Sequence, residues 1–413
     1  MDTLAQQIYE GATPDLAAIV EAWGERFALL HRLGDTPQDP EWHAEGDVYV
    51  HTSMVIEETY GLLEQVELSA ERRLALVLSA VFHDIAKPLR TQTRVIAGKE
   101  RIVAPRHADE GRSYLAYRIL ELGLPASVTT QVLALVGHHH DPKHLVIDDR
   151  PARRYRKLAR LADVELLYLL EQADMRGRRC PDRAEQIEYI DLFGLFAVEH
   201  GVFGAMQPTQ SLYEGWWEHI CAELNGFDET TRAFVFARAV REAERGEIYT
   251  PQEAVAKSYG YRDAFADLVV LCGPSGSGKT TWARHHLPEH HVVSMDDIRE
   301  ELTGDTADQS RNGEVRQIAK EQLKDHLRNH RKVVWDATNL RRDFRGLPLG
   351  LGFDYDAFTT LVCFHMEPGE FRRRNRERDR SVPDAVLDKQ LESVQWPQAD
   401  EAHRVVFLRD DEQ

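Results

Sequence analysis

The sequence predicts two architectures in series, an all-α domain followed by an α/β domain built on a parallel sheet. Three observations lead there. From about residue 48 to 175, apolar residues recur at helical spacing, and Gly and Pro fall mainly between the periodic runs. Beyond about 262 the pattern becomes short β-branched runs alternating with helical stretches, as parallel strands joined by helices require. At the head of that second pattern stands Gly273-Pro274-Ser275-Gly276-Ser277-Gly278-Lys279-Thr280. An apolar run, Leu268–Leu271, precedes it and a helix opens at Thr281, so a strand, a glycine-rich turn and a helix carrying Gly-x4-Gly-Lys-Thr form a P-loop. The domains are expected at 1–262 and 263–413.

A chain of 413 residues is long enough for two or three domains. Its net charge of −18 argues against a protein that coats nucleic acid non-specifically. An enzyme that grips one strand end through a local basic patch stays compatible with it. No apolar run reaches the length of a membrane span; Leu74–Phe82 comes nearest and runs into His83-Asp84. The four cysteines, Cys180, Cys221, Cys272 and Cys363, are scattered without a C-x-x-C pair. Together with an N-terminus lacking a basic region, they lead to the expectation of a reducing cytoplasm.

In chain order, residues 15–30 read as a helix ended by the Gly34-Asp35-Thr36-Pro37 turn. Helices are then expected over His51–Leu63, Ala70–Ala86, Glu110–Leu122, Val128–Gly137 and Arg156–Ala173. Gly98, Gly123-Leu124-Pro125 and Asp141-Pro142 separate them. Helices continue over 182–250 with Trp216 and Trp217 in the core, and Tyr259-Gly260-Tyr261 reads as a connector. Strands are expected at Leu268–Leu271, His291–Ser294, Lys332–Trp335, Phe358–Phe364 and Arg404–Leu408, with the phosphate site at their carboxyl ends.

The helical domain carries His51, His83-Asp84, His107, His138-His139 and Asp174 in that order. Imidazoles and carboxylates suit Mn2+, Fe2+, Co2+, Ni2+ or Zn2+. Each of these residues falls near the end of an expected helix. Ile85-Ala86-Lys87-Pro88 implies a tight bend after the His-Asp pair, which would face Lys87 to a substrate phosphate. The order H…HD…H…HH…D resembles the HD phosphohydrolase superfamily over about residues 48–175. That resemblance implies an HD-type domain with His51, His83, Asp84 and Asp174 around a first metal. Asp84 would bridge to a second metal held by His107, His138 and His139. Alternatively the four-residue set alone binds metal and the other histidines contact substrate phosphate. Three consecutive histidines, His138-His139-His140, leave the register of the last ligands open. Either way, one or two transition-metal ions would supply the chemistry of phosphoester hydrolysis. Basic residues at Arg150, Arg153, Arg154, Arg156, Lys157 and Arg160, then Arg176, Arg178 and Arg179, flank Asp174 and are candidates for guiding a strand end.

In the P-loop, the backbone of Gly273, Ser275, Gly276, Ser277 and Gly278 would close around phosphate oxygens at a helix N-terminus. Lys279 would reach the β/γ-phosphates and Thr280 would hold Mg2+, so ATP or another nucleoside triphosphate is expected there. Three further segments matter: Ser294-Met295-Asp296-Asp297-Ile298-Arg299, Trp335-Asp336-Ala337-Thr338-Asn339-Leu340, and the arginine run from Phe371 to Pro383. A kinase needs a base near the acceptor hydroxyl, a cation for the acceptor's own charge and an arginine for the transferring phosphoryl group. Asp296, Arg299 and the arginine run meet those needs. The set GxxGSGK[ST]TWAR, DDxR, D-x-TNL and RN-x-x-R before V-P resembles the 5′-OH polynucleotide kinase family over about 263–395. The resemblance implies Asp296 as general base, Arg299 on the acceptor's 3′-phosphate and Asp336 as a supporting acceptor-site carboxylate. It also implies Arg378 as the lid arginine on the β/γ-phosphates, with Arg374 and Arg380 as alternatives.

The chain has no D-x-D-G-T motif of an aspartyl-phosphate phosphatase. With an HD module before the kinase, the whole chain resembles the bacterial HD-Pnk enzymes of RNA end healing. That implies removal of a 2′,3′-cyclic phosphate or 2′-phosphate from one RNA or DNA strand end and phosphorylation of the 5′-OH on another. A separate ligase is implied as partner, because a K-x-D-G nucleotidylation motif is missing. The competing expectation is an HD nucleotidase, or a (p)ppGpp/dNTP hydrolase, whose P-loop domain senses nucleotide or phosphorylates a small molecule.

Overall fold

The computed structural model describes residues 1–305, 308–377 and 381–409. The chain divides into two compact units, Met1–Leu212 and Tyr213–Gln413. No described helix is long and apolar enough to cross a membrane.

The first unit is helical, and its helices start where short polar side chains cap them. Asp47 accepts the Val50 N–H at 2.9 Å and opens the helix Val48–Leu63. Ser69 opens Ala70–Phe82 in the same way. Such caps satisfy backbone donors that the first helical turn leaves unpaired. Ala70–Phe82 is the central element, with every residue from Leu74 to Phe82 buried. A helix apolar on all sides is stable only when it is surrounded. Trp23 and Phe27 pack on Phe82, with ring centroids 6.2 and 4.8 Å away.

Among the local expectations that differ from the structure, three bear on the packing of the first unit. The single helix expected over 15–30 is a helix, Leu16–Trp23, followed by a 3-10 turn, Ala28–Arg32. The helix expected over Arg156–Ala173 is two helices, Ala152–Leu161 and Val164–Arg176. Between them Asp163 leaves the helical path, caps the second helix through Leu166 N–H at 2.9 Å, and accepts two bonds from Arg72 at 2.8 and 2.9 Å. A buried carboxylate with three such partners outweighs one continued helical turn. Finally, two antiparallel strands, β1 (Gln92–Ile96) and β2 (Lys99–Val103), stand where only helices were expected. Ala97 and Gly98 both take positive φ, 49° and 80°, as a two-residue hairpin turn demands.

The second unit holds a five-stranded parallel sheet of β3 (Asp267–Cys272), β4 (His291–Ser294), β5 (Lys332–Asp336), β6 (Phe358–Phe364) and β7 (Arg404–Leu408). Their order is β4-β5-β3-β6-β7. All five match the expected strands to within one residue at either end. The central strand β3 is apolar on both faces, as a parallel strand covered by helices must be. Val269, Leu271, Val334, Val362, Phe364 and Leu408 form the core on one face.

The domain boundary expected near 262 falls inside this unit. Phe234, in the helix Glu229–Arg245, packs on Tyr261, Phe265, Phe358 and His403 at 4.7–5.3 Å between centroids. Arg238 pairs with Asp356 at 2.5 Å, and Arg241 donates to the Asp400 carbonyl. Residues 213–262 therefore cover the α/β core rather than extend the first unit.

Candidate active sites of the two units

In the first unit, the sequence-predicted ligands come from four helices and the bend after Phe82, and they converge. His51, His83 and Asp174 form one cluster whose candidate ligand atoms lie within 4.8 Å of one another. His51 Nε2 is 3.0 Å from Asp174 Oδ1. Asp84 lies between this cluster and the next: Oδ2 is 3.2 Å from His83 Nε2, and Oδ1 is 3.0 Å from His107 Nε2. That is the geometry of a bridging carboxylate.

The second cluster is His107, His139 and His140. His107 Nε2 is 3.3 Å from His139 Nε2 and 3.2 Å from His140 Nε2. The expected His138 is not among them. Its Nδ1 meets Asp141 at 2.7 Å and its Nε2 faces Arg112 at 3.3 Å. The helix Ala126–His138 ends here, and the chain turns so that the next two residues, not His138, face the cluster. Spacing left the register of the three consecutive histidines open, and His140 takes the place of His138 in the cluster.

The donors fit a cation. His83, His107 and His139 each place Nδ1 against a backbone carbonyl, of Ala80, Ala104 and Val136, at 2.7–2.8 Å. Donation from Nδ1 fixes the tautomer and leaves the Nε2 lone pair to ligate. Lone pairs converging at such distances repel unless a cation lies between them. The buried His51 Nε2 and His83 Nε2 satisfy no hydrogen bond. Burial, with His107 and His83 nearby, pushes His139 down to about 3, so it is held in the neutral form that binds metal. Burial alone would raise Asp84, but Lys87 at 2.6 Å, then His83 and His107, hold it well below the usual carboxylate range. Asp174 is likewise held low against burial by Arg178, 2.9 Å away, and by His51.

Sequence reasoning missed several partners. Glu45 Oε1 lies 2.8 Å from His43 Nδ1 and 3.1 Å from His51 Nδ1, with its other oxygen on the Arg179 N–H, and so orients the His51 ring. Arg178, from the basic stretch after Asp174, grips that carboxylate with both Nη2 bonds. Gln38 accepts from Lys87 Nζ at 2.6 Å. A cavity of about 410 Å3 adjoins the second cluster, lined in part by His107, His140, Lys87 and Arg178.

In the second unit, Gly276 and Gly278 take φ of +83°, the left-handed turn the P-loop requires. Lys279 opens the helix Lys279–His286, and its Nζ bonds the carbonyls of Gly273 and Pro274 at 2.9 and 2.8 Å. The lysine is thus folded onto the loop that would hold phosphate. Thr280 Oγ1 donates to Asp336 Oδ2 at 2.6 Å. Asp336 ends β5, the neighbour of β3, so it faces the residue expected to hold Mg2+. Asp296 and Arg299 share the helix Met295–Thr303 after β4, and Arg299 Nη1 donates to Asp296 at 2.6 Å. Ser275, the remaining loop position, is held by Gln390 through its N–H and hydroxyl at 2.8 and 3.0 Å. Ser277 is fully buried.

Arg378 and Arg380 lie outside the described residues, and Arg374 is bonded to Glu370 at 2.6 Å. The helix Pro368–Arg376 that carries the arginine run packs on the P-loop: a Cβ on Gly276 would meet Phe371 O at 2.5 Å and Asn375 Cβ at 2.9 Å. Asn375 then bonds both backbone groups of Val382 at 2.7 and 3.0 Å.

Comparison with known proteins finds a family match within each unit. Residues 48–167 match the family described as HD domain, and residues 268–397 match the family described as AAA domain. Among solved structures, a chain of "Structure of the Pnkp1/Rnl/Hen1 RNA repair complex" is similar at 24% identity and a TM-score of 0.29. That match covers 32% of this chain and 45% of the other, less than half its length. A gluconokinase from Sinorhizobium meliloti 1021 is similar at 18% identity and a TM-score of 0.27, covering 35% and 83%. A sugar kinase from Janibacter sp. is similar at 19% identity and a TM-score of 0.26, covering 35% and 85%. At TM-scores of this size none of these likenesses bears on activity. The chain joins an HD domain, with histidine–aspartate clusters able to hold metal, to an α/β P-loop domain.

Proposed function

We propose that the protein heals nucleic-acid ends, removing a 2′,3′-cyclic phosphate or 2′-phosphate in its HD unit and phosphorylating a 5′-OH in its P-loop unit. The observation that carries the reading is the Asp296–Arg299 pair at 2.6 Å on the helix after β4. In this reading Asp296 is the base for the hydroxyl and Arg299 beside it the cation for the acceptor's own phosphate, which a small neutral acceptor does not need. In that reaction the 5′ oxygen bonds to the γ-phosphorus, its proton passes to Asp296, and the nucleoside diphosphate leaves. Lys279 and the loop amides would bind the phosphates, and Thr280 with Asp336, bonded at 2.6 Å, would hold Mg2+.

In the HD unit, His51, His83, Asp84 and Asp174 would hold one metal ion, and His107, His139 and His140 with Asp84 a second. Such ions supply the activated nucleophile and charge neutralisation of phosphoester hydrolysis. Lys87 and Arg178 add positive charge beside the cavity. Strand ends of RNA or DNA are the substrates in this reading, a separate ligase joins the products, and the cytoplasm is the setting.

The test uses one RNA oligonucleotide bearing a 5′-OH and a 2′,3′-cyclic phosphate, incubated with ATP, Mg2+ and a transition metal. Both ends are followed by mass. Wild type should change both ends, Lys279→Ala only the 3′ end, and Asp84→Ala only the 5′ end. A 5′ end that gains no phosphate from ATP overturns the polynucleotide kinase and favours a nucleotide sensor or a small-molecule kinase.

A further inference from the structure

The cavity beside the second histidine cluster is larger than a phosphate alone needs. At about 410 Å3 it falls in the range of small-molecule sites, about 300–1,000 Å3. Its lining divides by chemistry. His107, His140, Lys87 and Arg178 supply metal ligands and positive charge. The rest comes largely from two segments, the loop around Trp42 and the run Ile102-Val103-Ala104-Pro105 that leaves β2, and is mostly apolar.

These two segments are built into one wall. The buried Asp39 carboxylate accepts the N–H groups of Glu41 and Trp42 at 3.1 and 3.2 Å. It also accepts Arg101 Nη1 at 3.0 Å and the Ile102 N–H at 3.2 Å. One carboxylate thus ties the Trp42 loop to the hairpin. The Arg101 guanidinium lies over the indole of Trp42, 4.6 Å from its centroid, and pairs with Glu41 at 2.7 Å. The ring is clamped in place, yet Trp42 remains 36% exposed and lines the cavity. Binding to a ring already immobilised loses little further conformational freedom. The hairpin contributes Ile102 and Val103 of β2 to this wall.

We infer that this wall is a nucleobase platform: Trp42, clamped by Arg101, stacks on the base of the nucleoside whose phosphoester lies at the metal clusters. The inference deepens the proposed phosphoesterase activity and rests on it. The lining also carries polar side chains, among them Gln38 and Thr91, but the exposed indole of Trp42 and the run Ile102–Pro105 offer apolar surface for which a bare sugar phosphate has no matching face. A flat base needs only an aromatic face, and stacking accepts every base. That tolerance suits an enzyme that meets broken ends of any sequence.

The test compares two esters that share the reacting group, cytidine 2′,3′-cyclic phosphate and base-free ribose 2′,3′-cyclic phosphate, on the full-length protein. A cytidine ester avoids competition from an adenine-nucleotide site in the P-loop unit. Trp42→Ala should lower kcat/KM on the cytidine ester by about tenfold, the order of one base–aromatic stack. The loss should lie mainly in KM, and the ribose ester should be turned over unchanged. Trp42→Phe should restore most of the wild-type value. Equal losses on both esters, or no loss on either, overturn the platform while leaving the phosphoesterase standing. If wild type hydrolyses neither ester, the phosphoesterase reading fails and the platform falls with it.

Discussion

Asp84 is the residue on which the HD site depends, because its two oxygens face different clusters, 3.2 Å from His83 and 3.0 Å from His107. Asp84→Asn keeps the volume but removes the charge that offsets two cations. It should lower bound metal, measured by atomic emission, and reduce phosphoester hydrolysis at least a hundredfold, while kinase activity is retained. The three consecutive histidines give a sharper residue-scale expectation. His140→Ala should cost about 10–100-fold in hydrolysis or metal affinity, the size seen when metal-site partners are lost. His138→Ala, whose ring faces Asp141 and Arg112, should change either by less than a few-fold. Hydrolysis rates and metal content of the two variants, side by side, decide the register. In the other unit, His403 accepts the Thr359 N–H at 3.1 Å and packs among Phe234, Phe353 and Phe358. Burial, with Arg241, Arg238 and Arg245 around it, pushes His403 from 6.5 down to about 3. Below pH 6.5 the unfolded chain takes up a proton that the folded chain refuses until about pH 3. Stability is therefore full above 6.5 and falls as pH drops across that interval. In His403→Asn the fall in Tm between pH 6.5 and 4 should be shallower than in wild type, whatever the starting Tm.

At the scale of elements, the P-loop and the helix Pro368–Arg376 act as one part. Their backbones meet where only glycine fits, at Gly276, and Asn375 fastens the far side of the arginine run to Val382. Asn375→Ala removes a buried amide and both of its bonds to the half-buried backbone of Val382. The expected result is a KM for ATP raised by about tenfold or more with a smaller change in kcat; an unchanged KM would separate this helix from nucleotide binding. Elements also show how far patterning reaches. The five strands of the sheet were legible because a parallel strand buried on both faces is a continuous apolar run, as in Leu268–Leu271. The hairpin β1–β2 was not, because its strand residues are exposed or half-buried and show no apolar alternation. Its one signal was the turn at Ala97-Gly98.

At the scale of the whole molecule, the two candidate sites sit in separate compact units, so each proposed activity should survive loss of the other. The cut that separates them is near 212, not 262, because Phe234 and Arg238 bind the helices of 213–262 to the sheet. A fragment of residues 213–413 should melt cooperatively, whereas one starting at 263 exposes the faces of Phe358 and His403 and should melt several degrees lower or aggregate. Equal Tm values for the two fragments would show that the helical segment contributes nothing to the α/β core.

The sequence alone determined the order of the two architectures, the P-loop and its strand, and six histidines and aspartates that the structure brings together: His51, His83, Asp84, His107, His139 and Asp174. Those features are local or ordered along the chain, so periodicity and motif spacing record them. Tertiary structure decided which of three adjacent histidines turns inward, that Asp336 faces Thr280, that Glu45 and Arg178 orient the ligands, and that 213–262 belongs with the sheet. Each of these depends on side chains far apart in sequence meeting in space, where the end of one helix or the packing of one phenylalanine settles what spacing leaves open.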